Sequence, residues 1–157
     1  MASYYSQTRN TELSTLKFIE DNLAIDWSGV NIVKSWGQMD KVANPVVCVS
    51  LTDTNYNRTE LGNTTYRNDY VFTIDIFATS DGMRIDLSDW LMRTINSGWT
   101  YYEVSQSAPK SRTLTYTAAG RCRIDSILDN NKVELGKVGD IKDKYHQSIV
   151  IVVTVGT

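Results

Sequence analysis

The strongest constraint on the fold is an uninterrupted strand–helix–strand run between residues 70 and 104. In its first part, apolar side chains recur at every second position, a spacing that predicts a strand with one buried face. A chain with such a strand must supply partner strands and a layer that covers the apolar face. The face consists of Tyr70, Phe72, Ile74, Ile76 and Ala78.

A helix follows this strand directly. Ser80 or Asp81 can cap its start, and Gly98 fits the left-handed position that ends many helices. Residues 99–104 then predict another strand. Apolar side chains three and four positions apart form one stripe along the helix, made of Leu87, Trp90, Leu91 and Ile95. The remaining helix surface is expected to carry Arg84, Asp86, Asp89 and Arg93.

The residues before this run predict one more helix and two more strands. A second apolar stripe, which predicts a helix ending near residue 22, is formed by Leu13, Leu16, Ile19 and Leu23. Asn10 or Thr11 can cap its start. Alternation predicts a strand over residues 30–35, and Pro45 opens another over residues 46–51.

Two polar stretches and several short strands complete the chain. Residues 52–69 predict either a projecting hairpin or a segment that orders against a partner, because a structureless loop of this length is unusual in a compact domain. Residues 105–120 predict a second polar loop with a short strand at 114–117. Residues 121–128 predict a strand, 129–132 a turn, and 147–155 a last strand that is apolar on both faces and needs cover on both.

These elements indicate a single α+β domain spanning all 157 residues, with a mainly antiparallel or mixed sheet packed by two main helices. The net charge is −2, whereas a nucleic-acid binder usually shows a basic excess. Cys48 and Cys122 lie in apolar runs and are expected to be buried thiols. No apolar run approaches the length of a membrane span, and residues 1–13 contain no apolar signal region.

The sequence gives little support for catalysis. His146 is the only histidine, and we expect an ordinary side chain at a strand end. Two cysteines and one histidine are too few for a structural zinc site, and the turn at residues 136–139 lacks the phosphate-loop spacing. Asp75 and Asp125 are expected to face outward, or to pair with Arg121 or Arg123. We therefore expect no catalytic residue, no cofactor and no metal.

One segment resembles a known family. Residues 46–99 resemble the tail terminator (tail completion) proteins of long-tailed bacteriophages, although Ala78 stands where the family has a proline. The resemblance lies in a polar turn, an alternating strand and a helix in that order. The matching residues are Arg58, Glu60, Leu61, Gly62, Tyr66 and Arg67, then 72–80, then Leu87-Ser88-Asp89-Trp90-Leu91.

The resemblance implies a structural protein of the virion, made in the host cytoplasm and placed at the neck or tail. It implies a homo-oligomeric ring, expected to be a hexamer, that caps the tail tube and joins it to a head-side connector or stopper protein. Genomic DNA would pass through the lumen without specific binding, and no membrane is involved. The expected subunit or partner contacts are Tyr56, Arg58, Glu60, Leu61, Tyr66, Arg67 and Tyr116.

Three other interpretations stay open. The chain could be a different neck connector, either an adaptor or a head-closure protein. It could be a nucleic-acid or ligand-binding module whose stacking platform is Tyr70, Phe72, Tyr101 and Tyr102. It could also be a small hydrolase or isomerase built around His146 with Asp75 or Asp125.

Overall fold

The computed structural model describes residues 3–39, 41–58, 66–107, 113–134 and 145–156. Within these ranges the chain forms seven strands and three helices. The strands are β1 (Ser3–Tyr4), β2 (Asn31–Val33), β3 (Val46–Arg58), β4 (Tyr66–Phe77), β5 (Trp99–Gln106), β6 (Leu114–Val133) and β7 (His146–Gly156). The helices are α1 (Gln7–Asp26), α2 (Trp36–Met39) and α3 (Asp81–Asn96).

The strands form one mixed sheet in the order β1-β5-β6-β7-β4-β3-β2. Only β2 and β3 are parallel among these neighbours; every other pair is antiparallel. The predicted α+β fold with two main helices is therefore confirmed. Among the described helices, none is both long and apolar enough to cross a lipid bilayer.

The core lies between α1, α3 and one face of the sheet. The predicted face of β4 is confirmed, since Tyr70, Phe72, Ile74 and Ile76 are all fully buried. From the adjacent strand β7, Ile149, Ile151 and Val153 join the same cluster. α3 supplies the covering layer with Leu87, Leu91 and Ile95, and its predicted stripe is confirmed except that Trp90 is only half-buried.

Both ends of α3 agree with the sequence. The Ser80 side chain accepts a hydrogen bond from the Met83 amide, as an N-cap does. Gly98 has φ +76°, and a Cβ there would lie 2.5 Å from the Cys122 carbonyl oxygen. Glycine is therefore required by conformation and by space where α3 turns into β5.

The predicted start and end of α1 are wrong. Ser6 caps the helix, which runs to Asp26, while Asn10 is buried within it. The reason is that α1 packs polar groups against β5. At a bulge in β5, the Tyr102 amide donates to the Ser14 hydroxyl at 2.9 Å. The Val104 amide donates to Asn10 Oδ1 at 3.2 Å. These hydrogen bonds replace apolar burial on that turn of the helix.

Several predicted strand ends are also wrong. β2 covers only three residues, whereas β3 continues to Arg58. The short strand predicted at 114–117 is confirmed as the start of β6. Residues 118–120, predicted as loop, and 129–132, predicted as turn, belong to the same 20-residue strand. The polar residues 129–132 pair with β7, and their side chains are exposed. An exposed strand position tolerates polar residues. The polar composition of residues 129–132 therefore led to the wrong prediction of a turn.

Among the residues that the structure describes, the second face of the sheet is covered mainly at one end. A small cluster of Val33, Met39, Val46, Cys48 and Phe77 buries the end near α2. Further along this face, Val150 and Thr154 of β7 are only half-buried. The core face of β7 is therefore covered within the chain, as expected. On the opposite face Val152 is buried, and cover of Val150 and Thr154 by another subunit stays a prediction.

Candidate functional site

A two-stranded arm extends from the sheet. β4 pairs with β7 from Phe77 back to Asp69, which lies opposite Thr154. Towards its start, β4 continues to pair with β3, as far as the pair of Tyr66 with Arg58. Tyr56 on this arm is 64% exposed. The prediction of a projecting hairpin within residues 52–69 is confirmed, and the connection at 59–65 lies outside the described residues.

The root of the arm is fixed to the helical layer. Gln7 Oε1 accepts hydrogen bonds from the Tyr70 hydroxyl at 3.1 Å and from Asn68 Nδ2 at 3.2 Å. Across the arm, Asn57 Nδ2 donates to Asp69 Oδ2 at 2.8 Å. Two strands held by side-chain contacts at their root present the arm in one direction, which favours a contact surface over a mobile loop.

A depression lined by arginines lies at the same root, on the sheet face opposite the core. Arg67 pairs with Asp69 at 3.0 Å and with Asp125 at 2.8 Å. The hydrogen bond to Asp125, followed by the charge of Asp69, raises the pKa of Arg67 above its ordinary value. The cavity has a volume of about 450 Å³. Its lining, called here the arginine depression, is Arg67, Arg121, Arg123, Thr154, Val155 and Gly156.

The predicted contact residues are only partly brought together. Tyr56 and Arg67 lie on the arm. Arg58 and Tyr66 are paired across it, but their side chains lie outside the described part. The whole of Glu60 and Leu61 also lies outside it.

Tyr116 is not part of the arm. It lies on β6, edge-on to Tyr102 with 5.7 Å between ring centroids and 5.4 Å from the Lys17 ammonium nitrogen to its ring centroid. Burial raises the pKa of Tyr116. The structure therefore places this residue against α1 rather than beside the arm, and its role as a subunit or partner contact stays a prediction.

The expectation that Asp75 faces outward is wrong, whereas His146 lies at the start of β7, the strand end that was expected. His146 Nε2 lies 2.7 Å from Asp75 Oδ1, with the two residues only 4% and 3% exposed. The His146 ring stacks on Phe77 at 4.3 Å between centroids. Asp75 faces inward, because β4 at this end is covered on both faces. Asp125 is exposed, as expected, and its partner is Arg67 rather than Arg121 or Arg123.

A histidine beside a carboxylate can act as a general base toward a nucleophile. Cys48 faces the same side of the sheet, since it is paired with Asp75 across β3 and β4. Burial raises the pKa of the Cys48 thiol, which favours the neutral form, and only the thiolate is a good nucleophile. Among the described residues, the pair forms a buried polar contact at the end of the sheet.

The proposed aromatic stacking platform is wrong. Tyr70 and Phe72 are fully buried and Tyr101 is 3% exposed. The Tyr101 hydroxyl accepts a hydrogen bond from Asn10 Nδ2 at 3.3 Å, within the contact between α1 and β5. Only Tyr102 is even half-exposed, so these four rings cannot stack on successive bases.

The expected exposure of Arg84 is also wrong. Arg84 is only 8% exposed; its guanidinium pairs with Asp81 at 3.0 Å and donates to Gln147 Oε1. Gln147 Nε2 in turn donates to Asn130 Oδ1 at 2.6 Å. This polar contact joins α3 to β7 and β6. Asp86 and Asp89 are exposed, as predicted.

The arginine depression was missed by the sequence analysis. Arg121 and Arg123 alternate within a predicted strand, which places both on one face. Whether that face is open depends on which strands lie beside β6, and local spacing does not carry that information. Comparison of the chain with known protein families and with curated proteins found no match.

Proposed function

We propose that the protein is a structural component of a phage virion: a ring-forming tail terminator that caps the tail tube and joins it to the head-side connector. The proposal starts from the resemblance of residues 46–99 to that family. In this proposal the subunit needs at least one surface for its neighbours and one for the tube. It carries no catalytic role and resides in the neck or tail of the particle.

The observation that carries the proposal is the fixed arm of β3 and β4. It runs beyond the terminal residue pair of β4 with β7, Asp69 and Thr154, its root is tied to Gln7, and it exposes Tyr56. Tyrosine and arginine are enriched at the energetic centres of protein interfaces. An arm that exposes Tyr56 and is held at its root by hydrogen bonds is best explained as a contact element for another subunit or for the tube.

The backbone of the arm supports the same interpretation. β2 pairs with β3 only from Val46 to Cys48, so among the described strands the outer edge of β3 has no partner from Val49 onward. An open strand edge is a template for pairing with another chain. Thr52, Asp53, Asn55 and Asn57 along this edge are exposed, and no lysine or proline lies among them to block pairing.

Analytical ultracentrifugation of the purified chain, alone and with tail tubes, tests the proposal. A terminator is expected to form a closed ring, alone or at the tube end, and electron micrographs should show tubes that end in a ring. A chain that stays monomeric and ignores tubes would contradict it. Binding to the head-side connector without tube binding would favour the adaptor or head-closure role instead.

A further inference from the structure

We infer that the arginine depression of one copy binds a depression around Trp90 on the next copy. This inference rests on the proposed function, because it names a contact through which the subunits of the ring would meet. Its occupant is a second copy of this chain, identified by complementary charge and by the chemistry of the two surfaces.

The arginine depression has a guanidinium group that is free to bind. Arg67 is committed to Asp69 and Asp125, and Arg121 Nη2 donates to the Ser97 carbonyl oxygen at 2.8 Å. Arg123 is exposed, and no carboxylate of the described residues pairs with it. A planar guanidinium favours a carboxylate partner, which it can bind through two hydrogen bonds.

The second surface lies between the end of α1 and the outer side of α3. Its cavity measures about 540 Å³, and the Trp90 indole nitrogen donates to Asp26 Oδ2 at 2.8 Å, which fixes the ring. Carboxylates beside indole rings form a favourable environment for an arginine side chain. The lining, called here the tryptophan depression, is Asp26, Trp27, Asp86, Trp90, Arg93 and Thr94.

The two depressions lie on opposite sides of the sheet. Cys122 and Val153 face the core with the helices, so their neighbours Arg123 and Thr154 face away from it. Within one chain the two surfaces cannot meet. Between copies they form a heterologous contact, the type that generates rings when the rotation closes.

Charge favours a protein partner over a nucleic acid. The arginine depression holds three arginines beside two carboxylates, Asp69 and Asp125, both paired with Arg67. The local excess is therefore one positive charge, and the chain has a net charge of −2. Binding to a phosphate backbone depends on several uncompensated cations. The tryptophan depression holds two carboxylates, Asp26 and Asp86, against one arginine, Arg93, so its excess of one negative charge matches the excess of one positive charge better than a phosphate backbone does.

Charge reversal tests the contact. Arg123→Glu and Asp86→Arg should each move the association midpoint at least tenfold to higher protein concentration, because each places like charges in the contact. An equimolar mixture of the two variants should reassemble, since every interface then joins opposite charges in rings of alternating subunits. Lys41→Glu and Glu103→Lys make the same charge changes outside the two depressions and should associate like the wild type.

Three outcomes would overturn the inference. Wild-type rings that are unaffected by either reversal would refute this contact while leaving the proposed ring intact. Loss of association in both variants without rescue in the mixture would show that the two surfaces do not meet each other. Loss of binding to a labelled DNA duplex in Arg123→Glu, with assembly unchanged, would assign the arginine depression to nucleic acid. A monomeric wild type would instead contradict the proposed function itself.

Discussion

At the scale of single residues, Asp75 and His146 form a hydrogen-bonded contact that is almost completely buried in the sheet. Asp75 Oδ1 bonds His146, while Asp75 Oδ2 is buried without a hydrogen-bond partner among the described residues. Removing the histidine alone leaves a carboxylate in an apolar environment, and that cost exceeds the value of the contact.

His146→Leu is therefore expected to lower the free energy of unfolding by about 3 kcal/mol. Asp75→Leu/His146→Leu should be more stable than the single variant, because no buried charge remains and Phe77 offers an apolar neighbour. Urea denaturation at pH 7 measures both. A double variant that is as unstable as His146→Leu, or less stable, would show that the lost stability does not come from an unpaired buried carboxylate.

Gly98 gives a sharper test of local backbone geometry. Gly98→Ala should destabilise the protein by about 2 kcal/mol, because φ is positive and a new Cβ would lie 2.5 Å from a backbone oxygen. Gly82 in the first turn of α3 has open space around it, so Gly82→Ala is the matched control and should be neutral or slightly stabilising. Thermal melts of both variants compare them. Similar losses of stability in Gly98→Ala and Gly82→Ala would contradict the left-handed conformation at residue 98.

Burial of Cys122 predicts weaker stability in alkali. Burial raises the pKa of its thiol from 9.0 to about 12, so the unfolded chain loses this proton at a lower pH than the folded protein does. Stability from this thiol is complete below pH 9 and falls as pH rises toward 12, with a slope of at most about 1.4 kcal/mol per pH unit.

Cys122→Ala should reduce that slope in unfolding measurements between pH 8 and 11. Some slope should remain, because burial also raises the pKa of Cys48 and Tyr101. An unchanged slope in the variant would mean that Cys122 is not shielded from solvent. Both thiols are free and buried, which agrees with the sequence analysis.

These residues also show where sequence reasoning ends. The roles of Ser80 and Gly98 were predicted, because a cap and a left-handed turn depend on neighbours within a few positions. The partnership of Asp75 and His146 was not, since 71 positions separate the two residues. Only the pairing of β4 with β7 brings them together.

At the scale of elements, the β3–β4 arm is the part that the proposed function depends on most. Its core contribution ends near Tyr70, and Tyr56 lies beyond it on the exposed part. Tyr56→Ser should therefore leave the free energy of unfolding within about 0.5 kcal/mol of the wild type. The same change should weaken self-association or tube binding at least tenfold, because an interface aromatic is lost.

Denaturation and sedimentation of the same variant separate the two effects. Ile25 is 79% exposed at the end of α1, outside both depressions, so Ile25→Ser is a suitable control for removing an exposed apolar side chain. Assembly that is unchanged in Tyr56→Ser would remove Tyr56 from the contact. A loss of stability in that variant would show that the tyrosine has a structural role.

Elements were predicted unevenly for a physical reason. β4 and α3 bury apolar side chains at a regular period, so their pattern is visible in the sequence. α1 buries Thr11, Ser14 and Thr15 against β5, and the predicted apolar stripe describes only part of its buried face. β6 was divided into loop, strand and turn, because its exposed polar positions resemble turn residues.

At the scale of the whole molecule, the sheet separates two different surfaces. Both long helices cover one face, while the other carries the arginine depression beside the root of the arm. A molecule with unlike surfaces on its two faces is suited to heterologous association. The order of the strands, which decides this arrangement, could not be read from local sequence patterns.

The mass of the assembled protein is the most direct test of the proposed ring. Sedimentation equilibrium over a wide concentration range, with and without tail tubes, measures it. A ring-forming tail terminator should give one closed oligomer of fixed stoichiometry, with six subunits expected. The free chain forms this oligomer alone or at the tube end. A chain that stays monomeric at every concentration and does not bind tubes would contradict it.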